Sequence, residues 1–167
     1  MPHPTLGLPP HDVTAGLPDV AERLRTNRDR IARLSLQTTV RDANGFADRY
    51  DEEALRLFLR DLERHVQQLA KALATGKDYY VTSYAEWLVP VYRRRKVPIA
   101  DVLALLAGLQ AAASTVMSPD EKRVSDDLFE SWVTVLRKHQ RLAGDHKGNS
   151  VIRFFWKGAG VGDDKWI

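Results

Sequence analysis

The sequence predicts an all-α fold: a single bundle of about five helices, globin-like in one variant, followed by a short extended aromatic tail. Three observations predict it. Apolar residues recur at three- and four-residue spacing through most of the chain between residues 17 and 143. Turn-forming Gly and Pro fall mainly at the ends of those stretches. A length of 167 residues, 44% hydrophobic and 28% charged, suits one domain built around one core. The expected organisation is an N-terminal arm over 1–16, the bundle over 17–147 and the tail over 148–167.

The first helix is expected from Leu17 to about Val40, with Pro18 and Asp19 in its first turn and Val20, Leu24, Ile31 and Leu34 inward. Asn44-Gly45 breaks the pattern. The second helix runs from about Glu52 to Thr75 on Leu55, Phe58, Leu59, Leu62, Val66, Leu69 and Leu73, and Gly76 suits the residue after its end. In the third, Tyr79 to Arg94, Tyr80, Tyr84, Trp87, Leu88 and Val91 share a side, and Pro90 removes a backbone donor. Pro98 stands where a first helical residue belongs. The fourth helix, on Ile99, Val102, Leu103, Leu106, Leu109, Ala113 and Val116, is expected to be the most buried. Ser118 and Glu121 form a capping-box pattern that starts the fifth, whose inner face carries Val124, Leu128, Trp132, Val135, Leu136 and Leu142 before Gly144 stops it. The pattern then changes to Val151-Ile152-Arg153-Phe154-Phe155-Trp156, several glycines, and Trp166-Ile167.

Composition narrows the functions. No cysteine is present, which removes disulfides, thiolate catalysis and Cys-ligated metals and fits a cytoplasmic address. The N-terminal residues lack the charged and apolar regions of a signal peptide. No apolar run reaches membrane-spanning length, since Val97 to Met117 is interrupted by Asp101 and Gln110. The net charge of +3 is spread along helices that also carry acids, which does not mark a nucleic-acid surface.

Catalytic spacings are missing. Neither Glu-x-x-His nor His-Glu-x-x-His occurs, His139 and His146 are separated by Gly144, and Glu52-Glu53 and Asp126-Asp127 read as solvated faces. Gly158-Ala159-Gly160-Val161-Gly162 imitates a nucleotide-binding turn but has no helix after it. The expectation is a non-catalytic chain without a metal.

Four residues make the candidate ligand site: His65 beside the apolar stripe of the second helix, and Tyr80, Tyr84 and Trp87 in the aromatic band of the third. A core role leads. The alternative is a small-molecule pocket, with haem or another tetrapyrrole ligated by His65 as its most specific form. For a partner protein, or a second copy of the chain, the candidates are Arg93, Arg94 and Arg95 at the end of the third helix and Phe154, Phe155, Trp156 and Trp166 in the tail.

A family resemblance rests on Phe58-Leu59-Arg60-Asp61-Leu62-Glu63-Arg64-His65, Leu73-Ala74-Thr75-Gly76, Tyr84-Ala85-Glu86-Trp87-Leu88 and Arg94-Arg95-Lys96-Val97-Pro98 before a Leu/Ala helix. Over about residues 20–143 the chain resembles the helical N-terminal sensory domains of bacterial regulators, found ahead of cobalamin-binding domains and in stress-response co-antagonists. The resemblance implies sensing or protein docking. In such regulators the helical domain is tethered to an output domain, whereas this chain is expected to signal by binding another chain. Cobalamin does not follow, because Asp145-His146-Lys147-Gly148 lacks the Asp-x-His-x-x-Gly pattern.

Overall fold

The computed structural model describes residues 16–145. Among them are six α-helices and one 3-10 turn: α1 Pro18–Thr26, α2 Arg28–Asp42, the 3-10 turn Ala47–Arg49, α3 Glu52–Thr75, α4 Tyr79–Arg94, α5 Ile99–Ser114 and α6 Pro119–Ala143. No strand occurs among the described residues.

The first expected helix is therefore two helices. Asn27 interrupts it with φ −100° and ψ 12°, in the bridge region, and its side-chain amide donates to the Arg23 carbonyl at 2.8 Å. A short polar side chain that bonds the preceding turn competes with helix continuation. The apolar phase persists across the break, so Val20, Ala21 and Leu24 of α1 and Ile31 and Ala32 of α2 are all buried.

α3 is the central element, packed by every other helix. Asp51 caps its start by accepting from the Ala54 amide at 2.8 Å, and Gly76 ends it at φ 69°, a left-handed conformation that costs glycine nothing sterically. Its inner face sets Phe58, Leu62, Val66, Leu69 and Leu73 in the core, with Asp61 and His65 in the same buried face.

α5 lies so close to α2 that a Cβ on Gly108 would stand 2.4 Å from Thr39 Oγ1 and 2.6 Å from the Ser35 carbonyl oxygen. Ser35 and Thr39 are buried there and return their hydroxyls to the Ile31 and Ser35 carbonyls at 2.6 and 2.9 Å. Pro98 caps α5 from outside the helix rather than opening it. Asp145 instead supports that end, its carboxylate accepting from the Ala100 amide at 3.2 Å and from Gln140 Nε2 at 2.6 Å.

α4 stays helical through Pro90, which faces solvent. It ends in a reverse turn in which the Val97 amide donates to the Tyr92 carbonyl at 2.9 Å and the Lys96 amide to Arg93 at 3.0 Å, with Lys96 left-handed at φ 59°. This is the Schellman arrangement with lysine in the usual glycine place, and buried Val97 supplies its apolar contact. α6 begins with both halves of the Ser118–Glu121 capping box formed. No described helix is long and apolar enough to cross a membrane.

A buried histidine in a directional hydrogen-bond chain

Two of the buried polar residues, Asp61 and His65, lie where α3, α4 and α6 meet. Asp61 and His65 lie one turn apart on the inner face of α3, and Tyr84 and Tyr92, two turns apart on α4, reach them from opposite sides. His65 is fully buried. Its Nδ1 stands 3.0 Å from the Tyr84 hydroxyl and its Nε2 3.1 Å from the Tyr92 hydroxyl. Tyr92 in turn donates to Asp61 Oδ2 at 3.2 Å, and the Arg95 guanidinium donates to the same oxygen at 2.6 Å. The Arg95 guanidinium also covers the rings of Phe58 and Tyr92, at 5.6 and 5.2 Å.

These bonds fix the protons. Asp61, paired with Arg95, is a carboxylate and can only accept, so the Tyr92 proton points at it. The Tyr92 oxygen then receives Nε2–H, leaving Nδ1 unprotonated to accept from Tyr84. The result is one directional chain, from Tyr84 through His65 and Tyr92 to Asp61. Burial, then the charges of Arg95 and Arg64, press the His65 pKa from 6.5 to about 3, so the ring is neutral near pH 7. Burial, reinforced by the Asp61 charge, raises both tyrosine pKa values, so both phenols stay protonated.

The walls are aromatic. Trp132 of α6 is fully buried, edge-on to His65 at 5.4 Å and to Tyr84 at 5.6 Å, and stacked on Phe129 at 6.1 Å. Its indole nitrogen has no hydrogen-bond partner among the described residues. On the outer side, Trp87 stacks on Tyr84 at 5.6 Å with an interplanar angle of 20° and remains 53% exposed. The sequence phase put Trp87 inward. α4 is instead rotated so that Val81, Ala85, Leu88 and Tyr92 are buried and the indole lies outside, over the half-buried Tyr84.

Of the candidate ligand residues, the structure thus joins His65, Tyr84 and Trp87 in one contiguous unit. Tyr80 stands apart, its ring beneath Lys71 Nζ at 5.9 Å. Both ring nitrogens of His65 are engaged, so haem ligation would require a phenol to be displaced. No group of three or more potential metal-ligating side chains occurs among the described residues.

The basic run separates into three roles. Arg93 lies against the end of α6, donating to the carbonyls of His139 and Gly144 at 3.2 and 3.0 Å, and Arg95 is committed to Asp61. Both bind within the chain: Arg93 in the last turn of α4 and Arg95 at its C-cap are two residues apart and so leave the helix on opposite sides, toward α6 and α3. Arg94 alone of the three is exposed and has no salt bridge among the described residues. Phe154, Phe155, Trp156 and Trp166 lie outside the described residues. So does His146, whereas His139 bonds Glu86 across α4 and α6.

Sequence reasoning passed over Asp61 and Tyr92 as site residues and offered Arg95 to a partner protein rather than to the core. A signal existed: Asp61 and His65 are polar residues at i, i+4 on an apolar face, a placement that requires partners when buried. Compared with known proteins, the chain matches no protein-family model and no characterised protein.

Proposed function

We propose that the chain is a non-catalytic regulatory module of a cytoplasmic bacterial signalling system, and that it binds a partner protein through the outer face of α4. The carrying observation is the half-exposed Trp87 stacked on Tyr84, whose hydroxyl bonds buried His65. An exposed indole on a rigid support is a typical anchor of a protein interface. Ser83, Trp87, Pro90 and Arg94 form one exposed stripe on α4. The fitting partner surface offers an apolar pocket for the indole and an acidic group for Arg94.

A sensory mechanism follows from the connection. Displacement of Trp87 moves Tyr84, weakens its bond to His65 and shifts the balance between two packings of α4 on α3. The reading agrees with the resemblance to helical sensory domains of bacterial regulators. Acid–base catalysis at neutral pH has little to work with here, since His65 is neutral, bonded at both nitrogens and closed off from solvent.

The test begins with affinity capture on the immobilised chain, followed by reconstitution with the purified captured protein. Trp87→Ala and Arg94→Glu should each weaken the reconstituted complex by tenfold or more while helicity and unfolding midpoint hold. A complex as tight with both variants as with the unaltered chain would sink the reading.

A further inference from the structure

We propose that the seam between α2 and α3 is a second docking groove, which takes an acidic helical segment with apolar anchors from a partner protein. The seam carries two clefts. One, of about 330 Å³, is lined by Arg25, Arg28, Gln67, Gln68 and Lys71. The other, of about 270 Å³, is lined by Arg33, Leu36, Gln37, Val40 and Leu59. The first cleft also borrows Arg25 from α1, and Arg28 and Arg33 are about a turn and a half apart on α2, roughly 8 Å along its axis, which sets the two clefts at successive levels of the seam.

Charge defines one end. No acid lines either cleft, and the outward stripe of α3 continues the basic character through Arg60 and Arg64. Glu22 and Asp29 accompany Arg25 and Arg28 at 3.6 and 3.2 Å, whereas Arg33, Arg60, Arg64 and Lys71 have no salt bridge among the described residues. Of the lining cations, Lys71 at the first cleft and Arg33 where the second begins are uncompensated, and they favour an acidic occupant. Apolar surface defines the other end, where Leu36 and Leu59 are half-buried and Val40 is 37% exposed.

That pairing selects a protein segment over a phosphate polymer. Leu36, Val40 and Leu59 give nothing to phosphate, and neither cleft is lined by an aromatic ring on which a base could stack. A helix with leucines at i and i+4 near one end and glutamates on the same face toward the other matches both clefts. The groove is separate from the Trp87 stripe: α2 packs on α5, α3 and α1, and α4 packs on α6, α3 and α5.

The probe is a fluorescein-labelled synthetic peptide of that design, titrated into the full chain and followed by anisotropy. Saturable binding that weakens as salt is raised is expected. The double substitution Arg28→Glu, Lys71→Glu and the single substitution Val40→Asp should each weaken it at least tenfold; all three positions are at least partly exposed, so circular dichroism should be unchanged. Trp87→Ala should leave it intact, which keeps this result distinct from the proposed function. Absence of binding at about 1 mM peptide, equal affinity for the groove variants, or displacement by polyphosphate or single-stranded RNA that binds more tightly would each overturn the proposal.

Discussion

Asp61 and Asp101 look alike and behave differently. Each is a buried carboxylate that holds an arginine and a tyrosine hydroxyl, yet one begins a chain and the other ends a clamp. Asp101, in the first turn of α5, binds Arg49 through both oxygens, at 2.6 and 3.2 Å, and accepts from Tyr50 at 2.5 Å. Its partners are neighbours in sequence, and they fasten the end of the 3-10 turn to α5. Asp61 receives Arg95 and Tyr92 on a single oxygen, and Tyr92 passes the orientation on to His65 and Tyr84. The same three residue types therefore anchor a loop in one place and orient a core histidine in the other. What separates them is the residue beyond the tyrosine: Tyr50 packs between Phe46 and Phe58 at 4.9 and 4.8 Å, whereas Tyr92 meets an imidazole.

The largest contrast should come from neutralising the two carboxylates. Asp61→Asn leaves Arg95, whose side chain is only a quarter exposed, without its counter-charge and removes the group that orders the Tyr92 proton. A loss of about 3 kcal/mol is expected in denaturant unfolding. Asp101→Asn should cost only about 1 kcal/mol, because Arg49 is 44% exposed and can return to water. Equal losses would erase the distinction between chain and clamp.

Much of the scaffold was legible before the structure, and the reasons are local. The bounds of α3 and α4 follow from apolar spacing with Gly76 between them, and the start of α6 from Ser118 and Glu121. Local signals also misled. The apolar phase continues past Asn27, so nothing in the periodicity announced the break, and Trp87 was read inward because Tyr80, Tyr84 and Leu88 share its neighbourhood on a helical wheel. The polar chain was hidden for a different reason: Asp61 and Tyr92 are on different helices, and only tertiary packing brings them together.

Acidification should sharpen the comparison next. An unfolded His65 takes up its proton near pH 6.5, while the folded side chain does so only near pH 3. Between those values the unfolded chain binds more protons, so stability falls as pH is lowered, by about 1.4 kcal/mol for each unit below 6.5. Glu121 and Asp126, whose carboxyl pKa values are lowered from 4.5 and 3.8, add their losses only at more acidic pH. Urea unfolding between pH 6.5 and 5 should show this slope in the unaltered chain and in Tyr50→Phe, and should lose most of it in His65→Gln. A slope retained by His65→Gln would assign the acid sensitivity to another group.

Removing the tyrosine hydroxyls should have smaller effects and a definite order. Tyr92→Phe leaves the His65 Nε2–H without an acceptor in the core and should cost about 2 kcal/mol. Tyr50→Phe should cost about 1 kcal/mol or less, since Asp101 keeps both bonds from Arg49.

The smallest expected effect decides which end of the chain is in command. Tyr84→Phe removes the donor to Nδ1, a nitrogen that keeps the neighbouring indole and phenyl surfaces whether or not it is bonded, and should cost about 1 kcal/mol or less. The His65 tautomer should nevertheless persist, because the Asp61 carboxylate still fixes the Tyr92 proton and Tyr92 still accepts from Nε2. Nitrogen-15 NMR of the imidazole should therefore report protonated Nε2 in the unaltered chain and in Tyr84→Phe, and a mixture of tautomers in Tyr92→Phe. If Tyr84→Phe scrambled the tautomer and Tyr92→Phe did not, the ordering would run inward from the Trp87 face, and a partner bound there would act on the proton position itself rather than on the packing of α4.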